Sequence, residues 1–206
     1  MQSTFSSKIR DNLGAFNVPA FRRYWLGSFA SVGAIQISVL VQGWLIIDEL
    51  GGSPLWLGYL GAATSIPTII VAIFGGVLAD KFNKRTLMFI ISTFMAISLI
   101  VLALLVSTGN IKLWHVLLIA ALQGLFGGLD GPIRSSFFPL LISRNHMMSA
   151  VALSSAMWQL GRILAPALGG WVIISAGIGG AFLVASLGLS LIHIYEPTSP
   201  RLISYA

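Results

Sequence analysis

Polar side chains recur at helical spacing inside a long apolar stretch of the sequence. Gln123, Gly127, Asp130 and Arg134 follow one another at intervals of four, three and four residues, so a helix presents them on one face. Asp130 precedes Arg134 by four residues, which is the favourable order for an ion pair along a helix. Two interpretations stand. The pair binds a charged group or a proton in the interior, or it anchors the helix end at an interface.

A second polar series lies further along the chain. Ser155, Gln159, Arg162 and Pro166 repeat the same intervals. Arg162 has no acidic partner on its own helix, and a buried charge is costly unless it faces a partner or water. We therefore expect Arg162 to pair with Asp130 on a neighbouring helix or with an anionic group of a ligand.

Amide side chains also occur in the first apolar stretch. Gln36 and Gln42 could both supply hydrogen bonds to a cavity, and Gln36 is the stronger candidate because it lies nearer the middle of the stretch. The candidates for lining a polar cavity are Gln36, Gln123, Asp130, Arg134, Gln159 and Arg162.

Composition places these groups in a membrane. The 206 residues are 56% hydrophobic and only 9% charged, with a mean hydropathy of +0.91. A soluble domain has about a quarter of its residues charged, so a soluble, disordered or nucleic-acid-binding protein is excluded despite the net charge of +6. The chain has no cysteine, which excludes disulfides and thiolate metal sites.

Six apolar stretches are long enough to cross a bilayer. A spanning helix needs about 20 mostly apolar residues, and charges, prolines and glycines divide the chain accordingly. We predict an all-α integral membrane protein, with a cytoplasmic segment over 1–22 and a six-helix region over 23–188. The predicted spans are 24–47, 55–79, 86–106, 113–133, 150–174 and 178–194.

The basic residues of the connecting segments predict the orientation. Lys and Arg are retained on the cytoplasmic side, and one side holds eight of them against only Lys112 on the other. The amino terminus should therefore be cytoplasmic in a multi-pass protein of the cell membrane. The eight residues are Lys8, Arg10, Arg22, Arg23, Lys81, Lys84, Arg85 and Arg144.

A charged segment, GVLADKFNKR over 76–85, separates the second and third spans. Asp80 lies at the carboxyl end of a helix, where the helix dipole disfavours an anion. Lys81, Lys84, Arg85 or the amino-terminal end of another helix could compensate it. The alternative is a charged turn that only sets the topology.

This segment resembles the loop signature of the major facilitator superfamily, G-x-L-A-D-R-x-G-R-R, in its usual position. Lys81 replaces an Arg, and Asn83 replaces a Gly at a position where Asn tolerates a positive φ. The resemblance implies a cytoplasmic latch against the other half of a transporter, made and broken during alternating access. Its residues would be Gly76, Asp80, Lys81, Lys84 and Arg85.

The fifth span resembles the antiporter motif of the same superfamily, whose core is G-P-x-x-G-G. Gly161, Ala165 and Gly169 recur every four residues and form a stripe that lets a neighbouring helix approach closely. Pro166 should bend the span. The alternative is ordinary helix packing with a kink. The motif, completed by Gly170, implies export.

Further segments of the sequence, including LDGPIRSSFFPLL, are similar to the branch of the superfamily that contains exporters of enterobactin and macrolides. The resemblance implies two three-helix repeats in which spans one, two, four and five line the cavity. It implies secondary export of a small amphiphilic molecule by proton antiport from the bacterial inner membrane. The chain would be the amino-terminal half, with a carboxyl-terminal half missing. No cofactor or metal is expected.

Two other classes of membrane protein could have this composition. An intramembrane protease needs a G-x-S-G or H-E-x-x-H string, and neither occurs. A six-span structural or assembly protein would not need polar stripes on alternate spans, and it is the remaining alternative.

The final residues, 189–206, read LSLIHIYEPTSPRLISYA and resemble a translated sequencing-library adapter. We expect this segment to be non-native and its apolar residues to complete the sixth span. A genuine helix end is the alternative.

The orientation can be tested with single cysteines, because the chain has none of its own. Ser53→Cys should react with a membrane-impermeant thiol reagent added outside, since the loop between spans one and two has no basic residue and is predicted to lie there. Asn83→Cys should react only after the membrane is opened. Protection of position 53 together with labelling of position 83 would show that the orientation is inverted.

Overall fold

The computed structural model describes residues 14–81, 83–141 and 146–195, with side chains described for 14–75, 83–84, 86–134 and 146–190. All regular elements in these ranges are helical. Five of the helices are long and apolar enough to cross a membrane, which agrees with the predicted all-α class. The segment 1–13 and the tail from residue 196 onward lie outside the described residues.

The helices follow the predicted spans closely. A short 3₁₀-helix, Gly14–Asn17, precedes α1, and α1 continues into a π-helix, Leu45–Glu49. Each of the first four predicted spans coincides with one helix. The helices are α1 Pro19–Trp44, α2 Leu55–Lys81, α3 Lys84–Ser107, α4 Leu113–Leu141 and α5 Met147–Tyr195.

Local sequence explains two of the helix boundaries. Pro19 occupies the first turn of α1, where its missing N–H costs nothing. At the end of α3, Gly109 adopts a φ of 67°, and its N–H donates to the carbonyl of Val106. The N–H of Asn110 donates to the carbonyl of Leu105, which completes a Schellman motif and ends the helix.

The longest helix, α5, is interrupted at Gly177, where φ is 72° and ψ is 177°. Gly169 approaches Ile37 of α1, and Gly188 approaches Ala34 of the same helix. Nineteen residues of straight helix would span about 28 Å, whereas Ile37 and Ala34 are one turn apart. The chain therefore reverses direction at Gly177.

We call the two parts of α5 the first arm, 147–176, and the second arm, 178–195. They correspond to the predicted fifth and sixth spans. The count of six spans is reached only when the arms are counted separately. The backbone breaks at Gly177, while Pro166 lies inside the helical first arm. The predicted bend at Pro166 is thus not the break in this helix.

Two tight helix pairs form the scaffold. In the first, α1 packs along the first arm of α5. A Cβ on Gly161 would meet Val32 at 2.6 Å, a Cβ on Gly169 would meet Leu40 at 3.1 Å, and Ala165 is buried. The prediction that the small-residue stripe admits a neighbouring helix is confirmed, and the neighbour is α1.

The second pair is α2 with α4. A Cβ on Gly124 would collide with the backbone of Thr64, and one on Gly128 would lie 2.6 Å from the carbonyl oxygen of Thr68. Thr68 Oγ1 donates to the carbonyl of Gly124 at 2.9 Å across this contact. Close approach therefore depends on glycine here and creates an interhelical hydrogen bond.

The pairing is consistent with two three-helix repeats. If the two repeats are equivalent, span one corresponds to span four and span five corresponds to span two. The contact between spans one and five then corresponds to the contact between spans four and two. Both contacts are present and extensive. The remaining helix, α3, packs on α5 and more lightly on α4.

Substitution of Gly124 should disrupt the second pair. We expect Gly124→Ala to lower the free energy of unfolding by about 2 kcal/mol, because the added methyl overpacks a backbone contact. The measurement is denaturant-induced unfolding in mixed micelles. Gly131→Ala is the matched control on the same helix, since nothing lies within 4 Å of its Cβ position. Equal stability of the two variants would contradict the close-packing account.

Candidate functional site in the cavity between the helix pairs

Two polar bridges join α1 to α4. The first begins at Gln42, whose buried Nε2 donates to Gln123 Oε1 at 3.0 Å. Gln123 Nε2 donates to Ser98 Oγ of α3 at 2.9 Å, and Ser98 Oγ donates to the carbonyl of Met95 at 2.7 Å. Each amide thus finds a partner on another helix, which fixes the relative depth of α1, α3 and α4.

The second bridge is built on the predicted ion pair. Arg134 Nε donates to Asp130 Oδ2 at 2.6 Å, and the two side chains are only 12% and 14% exposed. Arg134 Nη1 also donates to Ser28 Oγ at 2.9 Å, and Tyr24 shares a further side-chain hydrogen bond with the guanidinium. The guanidinium therefore holds its own helix and α1 together.

A cavity of about 210 Å³ lies beside these bridges. Most of its wall is apolar, and its polar lining includes Ser38, Gln123 and Asp130. Asp130 is the charged group among its described lining residues. The remaining lining residues are Ile35, Val39, Thr64, Thr68, Met95, Leu99, Gly124, Gly127, Trp158 and Leu189.

The structure brings together some of the predicted cavity residues and leaves others apart. Gln123, Asp130 and Arg134 lie in or next to the cavity. Gln159 and Arg162 are exposed on the first arm of α5. Among the described residues Asp130 pairs with Arg134, so the expected pairing of Asp130 with Arg162 is not observed.

The preference for Gln36 over Gln42 is also not reflected in the contacts. Gln42 is 3% exposed and belongs to the first bridge, whereas Gln36 is half-buried and makes no hydrogen bond within the described ranges. Position along the span was a poor criterion, because Gln123 meets α1 near the end of that helix.

The predicted latch falls mostly outside the described residues. The backbone places Gly76, Asp80 and Lys81 in the last turns of α2, and Lys84 begins α3. The side chains of Gly76, Asp80, Lys81 and Arg85 lie outside the described set. Their role as a latch stays a prediction.

Several residues of the cavity wall and of the first bridge carry no strong sequence signal. Thr64, Thr68 and Ser98 are small hydroxyl residues in apolar spans, where they often bond only to their own helix. Trp158 resembles a lipid-facing aromatic. The periodic Gly124 and Gly128 opposite a Thr64 to Thr68 interval could have indicated the contact between α2 and α4.

The expected division between cavity-lining and peripheral spans is only partly reproduced. Met95 and Leu99 of α3 and Leu189 of the second arm contribute apolar surface. Ser98 of α3 also completes the first bridge. The absence of charge in spans three and six therefore did not exclude them from the cavity wall.

The arrangement suits reversible binding and movement of charge. No group of three His, Cys, Asp or Glu residues that could hold a metal occurs in the described part of the chain. A cavity within paired apolar helices, with a buried ion pair beside it, is typical of a polytopic membrane protein with an interior binding site.

Comparison with known sequences identifies the family. Residues 11–195 match the profile of the transmembrane secretion effector family. The chain belongs to this family, which is part of the major facilitator superfamily of transporters, and it resembles the amino-terminal half of that fold. The match continues past residue 188, where the non-native tail was predicted to begin. No solved structure matches the chain.

Three relatives are informative. The "Uncharacterized MFS-type transporter YfiS" of Bacillus subtilis (strain 168) is 29% identical over 66% of this chain and 31% of its own length. The enterobactin exporter EntS of Salmonella paratyphi A is 27% identical over 89% of this chain and 44% of its own length. EntS of Citrobacter koseri is 26% identical over 89% of this chain and 46% of its own length. The chain spans less than half the length of these relatives, which are named as transporters rather than enzymes.

The buried ion pair makes a stability prediction. Asp130→Asn should lower the free energy of unfolding by about 3 kcal/mol, because Arg134 is left as an uncompensated buried charge. The double variant Asp130→Asn/Arg134→Gln should recover most of that loss. Unfolding in mixed micelles measures both, and Asp48→Asn is the exposed control. A double variant no more stable than Asp130→Asn alone would contradict direct pairing.

Proposed function

We propose that these residues form the amino-terminal half of a secondary transporter that exports a small amphiphilic molecule by alternating access. The observation that carries the proposal is the cavity between α1 and α4, with Asp130 and Gln123 on a mainly apolar wall. A site of this kind offers a few oriented polar groups within an apolar surface, which suits an amphiphile. The relatives named enterobactin exporters support the direction of transport.

Asp130 is the proposed site of proton coupling. Its carboxylate lies on the cavity wall and pairs with Arg134. Protonation removes the charge that holds Arg134, while Ser28 and Tyr24 continue to hold the guanidinium from α1. One proton would then leave the guanidinium held only by these neutral partners on α1, so its buried charge would be uncompensated and this arrangement would be destabilised relative to the alternative one. This is a local two-state element of the kind that alternating access needs.

A second half completes the proposed transporter. The exposed faces of α2 and of the first arm of α5 carry large apolar side chains, including Ile73 at 73% and Ile174 at 87% exposure. Arg162 and Gln159 are exposed on the same arm. A carboxyl-terminal half would place partners against part of this surface, with Arg162 facing that half or an anionic group of the substrate.

The latch and the orientation complete the proposal. Asp80 at the end of α2, with Lys81, Lys84 and Arg85, would contact the second half on the cytoplasmic side in one of the two conformations. The amino terminus would be cytoplasmic, in the inner membrane of a bacterium. A purely structural or assembly role would have no evident use for an ion pair on a cavity wall, since burying charge in a membrane is costly.

Transport assays can separate coupling from substrate movement. The full-length transporter that contains these residues is reconstituted in proteoliposomes, in wild-type form and as Asp130→Asn/Arg134→Gln. We expect the double variant to lose proton-gradient-driven accumulation of enterobactin by at least about tenfold, because the titratable group is gone. Exchange of labelled for unlabelled substrate without a gradient should persist, since it needs no net proton transfer.

The controls address folding and self-sufficiency. Glu49→Gln changes an exposed acid outside this cavity and should accumulate substrate normally. The 206-residue chain alone should move no substrate, because it supplies only one side of the cavity. Retained gradient-driven accumulation by the double variant would refute Asp130 as the coupling site. Transport by the chain alone, lost on Arg162→Ala, would refute the need for a second half.

A further inference from the structure

A second cavity lies at the far end of α1, where this helix passes into the π-helix and faces the start of α2. It has a volume of about 400 Å³. Its wall is apolar except for one carboxylate. The residues that matter are Val39, Gly43, Trp44, Ile47, Asp48 and Leu57. Nothing in the proposed function assigns this cavity a role.

The backbone at this cavity is unusual. The Leu50 N–H donates to the carbonyl of Leu45 at 3.0 Å, a bond that spans five residues instead of four. π-turns of this kind are rare in proteins, and those that occur are often found at functional sites. The wide turn starts directly after Trp44 and contains Asp48, and both side chains line the same cavity. An indole and a carboxylate are thus presented together from one helix end.

Both groups are accessible to a ligand. Trp44 is 49% exposed although it borders a cavity. Asp48 is exposed, and it makes no ion pair or hydrogen bond within the described part of the chain. Glu49, the next residue, does not line the cavity. Gly43 contributes no side chain, and a Cβ added there would lie 3.6 Å from a methyl group of Leu57, which is ordinary contact distance.

We propose that this cavity binds a small organic cation that carries apolar groups. A carboxylate attracts the positive charge, and the face of an indole adds cation–π stabilisation. Val39, Ile47 and Leu57 supply apolar contacts to the body of the ligand. An anion of the same shape would be repelled by Asp48, and a neutral molecule would gain only the apolar contacts. Charge sign is therefore the property that the site selects.

The two cavities share one wall residue. Val39 lines both, with Asp48 on one side and Asp130 on the other. The binding site itself does not require transport, so it stands or falls independently of the proposed export.

Two hydrophobic ions of matched shape and opposite charge test the proposal. The 206-residue chain is studied in micelles of the uncharged detergent dodecyl maltoside, and binding of tetraphenylphosphonium and tetraphenylborate is measured by equilibrium dialysis against protein-free micelles. We expect saturable binding of tetraphenylphosphonium. Asp48→Asn should weaken it by about fivefold, as loss of one partly solvated charge pair implies, and should not weaken any binding of tetraphenylborate.

Glu49→Gln is the matched control, because it removes the same charge one residue away from the cavity wall. It should leave tetraphenylphosphonium binding unchanged. Trp44→Leu keeps an apolar side chain and should weaken cation binding through loss of the aromatic face. The proposal is overturned if Asp48→Asn and Glu49→Gln have equal effects, because net charge alone would then explain binding. It is also overturned if the cation does not bind saturably.

Discussion

Polar groups inside a bilayer need partners within the protein, and this requirement sets the relative positions of α1 and α4. Lipid offers no hydrogen bonds, so an unsatisfied amide or charge there is expensive. Gln42 meets Gln123, and Arg134 meets Ser28, at points that lie about 16 Å apart along α4, given a rise of 1.5 Å per residue. Two such contacts fix both the depth and the tilt of one helix against the other. The cavity between them is the space that these two bridges hold open.

Tight backbone contacts elsewhere allow that space to exist. Gly161 and Gly169 bring the first arm of α5 onto α1, and Gly124 and Gly128 bring α4 onto α2. Both α1 and α4 are thus held by a neighbouring helix, the first arm of α5 and α2 respectively, at a distance too short for larger side chains. α1 and α4 themselves share few backbone contacts. The scaffold is therefore dense within each pair and open between the pairs, which is the distribution that a binding site at their boundary requires.

The sequence predicted the parts of this arrangement that depend on a single helix. Apolar length gave the spans, a four-residue interval gave the pair of Asp130 and Arg134, and the four-residue repeat of small residues gave the close contact made by the first arm of α5. Contacts between helices were harder, because they depend on crossing angles that no single-helix pattern contains. Gln42 meets Gln123 on another helix, and Asp130 pairs with Arg134 of its own helix instead of with the expected Arg162.

The π-helix at the end of α1 relates the scaffold to the second cavity. Gln42 must stay in register with Gln123, so α1 is fixed up to that residue by its bridge. The loop beyond Leu50 turns through Gly51 at a φ of 59°. Between these two fixed points, residues 45–49 form one wider π-turn instead of continuing as a regular α-helix. A local widening in this position places Trp44 and Asp48 on one wall without disturbing the buried contacts before it. The wide turn thus frames the outer cavity, whereas the bridges between α1 and α4 frame the inner one.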